Sequence, residues 1–218
     1  MINKPNRTFI FDLDGVITET SELHFMAWKT VCKKIGYDLT RKKNEELKGV
    51  NRNKCLDMIM EWAKISLSEK EIKNLLEEKN NIYKDYIKDL NENDVCEGVL
   101  NFINDAIKNN IKIALYSSSC NAKRILCQLK IIDLFNVIID GNNVHKAKPD
   151  PEGFKIAAEL TKTNTKDCVV FEDSISGIEG ANKLNMYTVG IGSSDVLKSA
   201  NVVYNGFKNL NIKDIINV

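Results

Sequence analysis

Three prolines and two histidines in 218 residues leave little rigid linker and little metal-binding imidazole, and charge of neither sign is in surplus. Lys and Arg number 31 against 30 Asp and Glu, a net charge of +1. That balance argues against nucleic acid or an anionic membrane as a partner, while leaving room for a small basic pocket. No apolar run approaches the ~20 residues of a membrane-spanning helix. The six cysteines, Cys32, Cys55, Cys96, Cys120, Cys127 and Cys168, contain no C-x-x-C pair, which with so few histidines argues against zinc. The start of the chain has no signal-peptide pattern and leads straight into a strand-like run, so the expectation is a cytoplasmic protein with free thiols. Internal repeats, low-complexity tracts and proline-rich linkers are missing. So are a P-loop and a G-x-G-x-x-G, since Gly190-Ile191-Gly192 lacks its third glycine.

What is present is an ordinary globular composition, 43% hydrophobic and 28% charged, enough for one core domain plus an insert. Short runs rich in β-branched residues recur: Thr8-Phe9-Ile10-Phe11, Ile111-Lys112-Ile113-Ala114-Leu115-Tyr116, Val137-Ile138-Ile139, Val169-Val170-Phe171, Thr188-Val189-Gly190-Ile191 and Val202-Val203-Tyr204. Helical patterns such as 100–109 and 151–160 separate them, the second opened by Asp150 as N-cap and Pro151 at the first helical position. This alternation predicts an α/β fold with a mostly parallel sheet covered on both faces.

Roughly ninety residues between the first two runs carry almost no strand signal. Trp28, Val31, Cys32 and Ile35 recur at helical spacing, as do Leu56, Ile59, Met60 and Ala63. A third stripe runs through Ile72, Leu75, Leu76, Tyr83, Tyr86, Ile87 and Leu90, behind the capping box Ser68-x-x-Glu71. The expectation is a helical domain over residues 20–91 inserted into a core of residues 1–19 and 92–218. Segments 15–20 and 91–98 are then its hinges.

Four polar groups stand at strand ends. Asp12-Leu13-Asp14-Gly15 puts two carboxylates on one face of extended chain, one fit to attack phosphorus and the other to shuttle protons. Alone, D-x-D-G is equally a turn with solvated aspartates, and its glycine comes too early for a calcium loop. Ser117-Ser118-Ser119-Cys120-Asn121 is a hydroxyl cluster opening a helix, a natural phosphate site or simple N-capping. Lys148 precedes a helix start and suits neutralising a transferring phosphoryl group. Glu172-Asp173 ends a buried run, and with Asp12 could make the oxygen-rich site that magnesium prefers. In the insert, Lys79 lies on the apolar stripe, where burying an unpaired ammonium is costly, so it either snorkels outward or faces a wet cleft, and the cleft is the favoured reading. Lys48 and Arg52 bracket Gly49, where backbone can approach a ligand.

The ordered set Asp12-Leu13-Asp14-Gly15, Ser117-Ser118-Ser119, Lys148-Pro149 and Glu172-Asp173 resembles the four motifs of the haloacid-dehalogenase-like phosphotransferases. The helical insert resembles their cap. Within that superfamily the chain is most similar to the β-phosphoglucomutases, through Thr20, His24, Leu47-Lys48-Gly49-Val50-Asn51-Arg52, Lys79-Asn80 and Tyr83. It departs at Glu97-Gly98, where Pro-Gly is usual, at Cys120, where lysine is common, and at Glu19, where aspartate is frequent.

The resemblance implies a Rossmann-like parallel-sheet core with an α-helical cap, and a magnesium-dependent mutase working as a monomer. It interconverts β-glucose 1-phosphate and glucose 6-phosphate through an aspartyl-phosphate on Asp12 and a glucose 1,6-bisphosphate intermediate. Asp14 is its acid and base, set in place by Thr20 and His24. Magnesium is held by Asp12, the Asp14 backbone carbonyl, Glu172 and Asp173. Ser117 and Lys148 hold the transferring phosphoryl group, and Arg52, Ser119 and Asn121 hold the other phosphate. Lys48, Gly49, Val50, Lys79 and Ser118 complete the substrate contacts. The competing expectations are a sugar-phosphate phosphatase on the same core and a phospho-accepting signalling module, which would have no use for the cap.

Overall fold

The computed structural model describes residues 6–216. Six strands, β1 (Thr8–Phe11), β2 (Lys112–Tyr116), β3 (Val137–Ile139), β4 (Cys168–Glu172), β5 (Tyr187–Ile191) and β6 (Val202–Tyr204), form one sheet in the order β3-β2-β1-β4-β5-β6. Every pairing is parallel. Chain order runs outward in one direction from β1 and in the other from β4, so the topological switch point lies between these two strands. Ligands of open α/β sheets bind outside the carboxyl ends of strands at such a point.

The strands are continuous apolar runs because helices cover both faces. The period of two still sorts the side chains. Phe9, Phe11, Ile113, Leu115, Val169 and Phe171 face one layer, and Ile10, Ala114, Tyr116 and Val170 the other. Helices α5 (Val99–Lys108) and α9 (Ile212–Ile216) cover the first face, where Phe11 stacks on Phe171 at 4.6 Å between ring centroids and Phe102 and Phe207 pack around them. Aromatic pairs of this kind add about 0.5–1.5 kcal/mol each beyond area burial. Helices α7 (Glu152–Leu160) and α8 (Ile175–Asn182) cover the second face. Helix α6 (Ala122–Gln128) follows the serine turn after β2.

Between β1 and β2 the chain folds into α1 (Ser21–Lys34), α2 (Arg41–Glu45), α3 (Arg52–Ala63) and α4 (Glu69–Tyr86). These helices form the cap, with their own apolar cluster of Phe25, Trp28, Cys32, Leu39, Leu56 and Ile59. Ser68 and Glu71 make the capping box that starts α4. Tyr83 and Ile87 instead join the core cluster beneath the sheet edge, so cap and core share apolar surface. The two connecting segments pair with each other: Cys96 N donates to Ile17 O at 2.9 Å, and Thr18 Oγ1 to Asp94 O at 2.8 Å.

Three local expectations need correction. Tyr86 is 39% exposed, because the packed face of α4 turns away from it toward Lys79, Tyr83 and Ile87. Pro151, not Asp150, is the N-cap of α7, and the Asp150 carboxylate accepts from the Glu152 amide two residues later. Ile111 precedes β2 and packs its side chain into the core without joining the ladder.

Candidate active site

Asp12 continues β1 by one residue, its amide donating to Phe171 O at 2.9 Å, which aims its buried carboxylate out of the carboxyl end of the sheet. Lys148 Nζ reaches the same point from the loop before α7. It donates to Asp12 Oδ1 at 2.5 Å, Glu172 Oε2 at 2.8 Å and Tyr116 O at 3.2 Å. Burial works against the Lys148 ammonium, but Asp12 and Glu172 more than offset it and hold its pKa above the ordinary lysine value. The other oxygen of Glu172 accepts from the Ser174 amide and hydroxyl. Gly177 makes room for this side chain, since a Cβ there would stand 2.1 Å from Glu172 Cδ.

Asp12, Glu172 and Asp173 each offer a carboxylate oxygen, all within 4.8 Å of one another. Burial, then Glu172, push Asp12 well above the carboxylate range against the pull of Lys148. Burial and Glu172 likewise raise Asp173 to about 7, with Lys48 opposing. An all-oxygen set whose members repel one another in a buried site fits a hard divalent cation.

The Asp14 carboxylate is not one of the three. It is drawn toward the cap, where Thr20 Oγ1 donates to its Oδ1 at 2.5 Å, Tyr83 OH donates at 3.2 Å, and His24 Nε2 stands 3.4 Å away. Burial opposes its charge, but His24 and the hydrogen bonds from His24, Thr20 and Tyr83 bring it down to about 2. All three partners act on Oδ1, and no described residue bonds Oδ2. Lys79 Nζ lies 2.6 Å from His24 Nδ1, and the His24 ring stacks on Tyr83.

Between cap and core lies a cavity of about 310 Å³. Asp12, Asp14 and Asp173 stand at its sheet end. Its cap wall carries His24, Lys48, Gly49, Val50, Arg52 and Lys79, and its core wall Ser118, Ser119 and Asn121. Ser117, Lys148, Glu172 and Thr20 lie just behind this surface, each almost wholly buried. The Ser117 hydroxyl accepts from the Ser119 amide at 3.1 Å, and the Asn121 amide donates to Ser119 Oγ at 3.2 Å. Ser118 lines the cavity, yet its hydroxyl donates to Gly49 O at 2.6 Å and so ties the cap to the core. Arg52 Nε is buried without a hydrogen-bond partner in a wall that is otherwise well satisfied.

Sequence reasoning left several cavity residues unassigned. Trp28 belongs to the apolar stripe of α1, but its ring also lines the cavity beneath Lys79. Asn80 accepts from Asn121 Nδ2 at 3.1 Å across the cleft. Gly141, Val144 and His145, from the loop after β3, complete the core wall. That loop carries no periodicity and no motif, so only its placement assigns it.

A model of the haloacid dehalogenase-like hydrolases matches residues 9–191. The chain is 38% identical over 199 residues to a β-phosphoglucomutase of Bacillus subtilis, covering 90% of this chain and 88% of that one. It is 33% identical over 176 residues to a phosphorylated carbohydrates phosphatase of Thermotoga maritima, covering 79% and 78%. Among solved structures, a β-phosphoglucomutase from Clostridium difficile superposes with a TM-score of 0.92 at 41% identity, covering 97% of this chain and 96% of that one.

Proposed function

The chain belongs to the haloacid dehalogenase-like hydrolases, and from that premise we propose that it is a phosphosugar mutase interconverting β-glucose 1-phosphate and glucose 6-phosphate. The observation that carries this reading is Arg52. Its buried, unpartnered Nε stands in the wall of a cavity whose other end is the Asp12–Lys148 pair. A buried guanidinium nitrogen left unpartnered in this way suits an anion, which supports a site with two ends for two phosphates.

Asp12, Glu172 and Asp173, with the Asp14 backbone carbonyl, would hold Mg²⁺. When bound, it neutralises the carboxylates and the charge developing on the transferring phosphoryl oxygens. The remaining work falls to the chain. With Asp12 phosphorylated, the C6 hydroxyl of β-glucose 1-phosphate attacks phosphorus. The Asp12–phosphorus bond breaks, and Asp14 Oδ2 takes the hydroxyl proton. An ionised Asp14 with Oδ2 open is equipped as that base. The bisphosphate turns over in the cavity, Asp12 attacks the phosphorus at C1, and Asp14 returns its proton to the departing O1. Glucose 6-phosphate leaves and phospho-Asp12 is restored. Lys148 and Ser117 steady the transferring group, while Arg52, Ser119 and Asn121 hold the other phosphate. A cap seated on the core excludes water, so that transfer to sugar outruns hydrolysis. The six free thiols support a reducing, cytoplasmic setting.

The test sets Arg52→Ala against wild type on two phosphoryl donors. Losing a charge-assisted contact costs on the order of 2–4 kcal/mol, so conversion of β-glucose 1-phosphate should fall by roughly 30- to 1,000-fold. Acetyl phosphate has no second phosphate, and its attack on Asp12 should fall far less. Equal losses on both donors would make Arg52 a support of the fold. The similarity to a carbohydrate phosphatase keeps a second reading in view. It would be preferred if wild type released inorganic phosphate faster than it formed glucose 6-phosphate.

A further inference from the structure

The basic residues lining the cavity are unevenly distributed. His24, Lys48, Arg52 and Lys79 all belong to the cap, and three of them already have partners in the protein. Lys48 pairs with Asp173 and Glu45, while Lys79 and His24 bond each other. The core wall opposite Arg52 offers only neutral groups from the turn after β2, namely Ser118, Ser119, Cys120 and Asn121. The one basic side chain lining that wall is His145.

The loop bearing His145 is built against this turn. Asn142 Nδ2 donates to Cys120 O at 3.4 Å, and a Cβ on Gly141 would stand 2.6 Å from Ser118 O, so the two backbones nearly touch. Its far end is pinned by Glu152, at the start of α7. The two oxygens of Glu152 accept from the His145 amide at 3.1 Å and the Lys146 amide at 2.6 Å. These bonds, amide of His145 first, hold Glu152 below the ordinary carboxylate range, so an anion stands behind the imidazole. The backbone of His145 is thus fixed at its own amide and at the next, while no described residue bonds its exposed ring.

We infer that His145 is the core-side cation of the distal phosphate subsite, closing on the second phosphate of a sugar bisphosphate opposite Arg52. The inference rests on the mutase reading for the identity of the ligand. The phosphate at the end of the cavity away from Asp12 and Lys148 would otherwise meet positive charge from the cap alone. The hold on that phosphate would then depend wholly on cap closure. A cation on the core lets the open enzyme retain the intermediate while it turns over.

The deciding measurement is calorimetric binding of glucose 1,6-bisphosphate, with magnesium, to full-length protein carrying Asp12→Asn, so that no transfer intervenes. His145→Gln should weaken the Kd roughly 5- to 30-fold, the range of a charge-assisted bond at a partly open site. His145→Lys, which restores a cation without the ring, should return the Kd to within about 3-fold. A purely structural role would not be rescued by lysine. An unchanged Kd in His145→Gln, a failure of lysine to rescue, or no detectable bisphosphate binding with His145 intact would each overturn the inference. The mutase reading is judged separately, with Asp12 in place. If that protein forms no glucose 6-phosphate, the reading falls, whereas the His145 comparison still decides whether a second phosphate is held there.

Discussion

Lys79 sits on the apolar stripe of α4, only 3% exposed, with its ammonium over the faces of Trp28 and Tyr83 and 2.6 Å from His24 Nδ1. An ionised Asp14 can only accept, so the proton of a neutral His24 belongs on Nε2, facing Asp14, and Nδ1 is left to accept from Lys79. Lys79 thus backs the tautomer that lets His24 donate to Asp14, the carboxylate proposed as acid and base. Burial, aided by Arg52 and opposed by Cys55 and Asp14, brings the Lys79 pKa from 10.5 down to about 7. Between these two values the unfolded chain carries a proton that the folded chain does not, so this residue makes stability rise with pH there. Below pH 7 both states are protonated and the contribution is flat. The stability difference between wild type and Lys79→Met should grow in favour of wild type from about pH 7 to 10, by on the order of 2–5 kcal/mol. Urea midpoints of the metal-free proteins would show it. A difference that does not vary with pH would mean that the ammonium is solvated in the folded state.

At the scale of an element, the loop between α2 and α3 is the part of the cap that the core grips. Gly49 O accepts from Ser118 Oγ at 2.6 Å, Lys48 O accepts from Ser176 Oγ at 3.0 Å, and Lys48 Nζ lies 3.5 Å from Asp173. From the cap side, the Cys55 thiol donates to Leu47 O and Val50 O. Gly49 is at φ +71°, and a Cβ there would stand 2.4 Å from both Ser174 Oγ and Ser176 Oγ. Only glycine allows this seat. Gly49→Ala should hold the cap off the core, lowering kcat/KM for β-glucose 1-phosphate by roughly 100-fold or more and raising the share of phosphate lost to water. Ser176→Ala removes one hydrogen bond, worth about 0.5–1.5 kcal/mol, and should cost roughly 2- to 10-fold. The ratio of inorganic phosphate to glucose 6-phosphate reports both. A wild-type ratio in Gly49→Ala would show that this seat does not control water entry.

For the whole molecule, the sheet order places Asp12 and Glu172 side by side at the switch point between β1 and β4, and the cap is hung from the same end by two short strands of chain. Those connections pair through Thr18 and Val95, so they must bend as a unit when the cap moves. Adding glucose 1,6-bisphosphate and magnesium to the Asp12→Asn protein should therefore slow hydrogen exchange at 15–20, 47–52 and 91–98 together, and leave β1 and β4 as they were. Protection confined to 47–52 would mean that the loop closes without the hinge.

Much of the fold is legible in local pattern. Strands buried on both faces read as β-branched runs, and the Ser68–Glu71 box announces α4, because neighbours in sequence settle both. The chemistry of Asp12, Glu172 and Asp173 is legible for a related reason. A charged group straight after a buried run emerges at a sheet edge in a parallel α/β fold, whatever the rest of the chain does. Distances across the cleft are another matter. That Ser118 spends its hydroxyl on Gly49, that Tyr86 faces water, and that His145 lines the cavity all depend on how loops far apart in sequence come to rest. Contacts between segments far apart in the chain set those positions, and no pattern within ten or twenty residues encodes them.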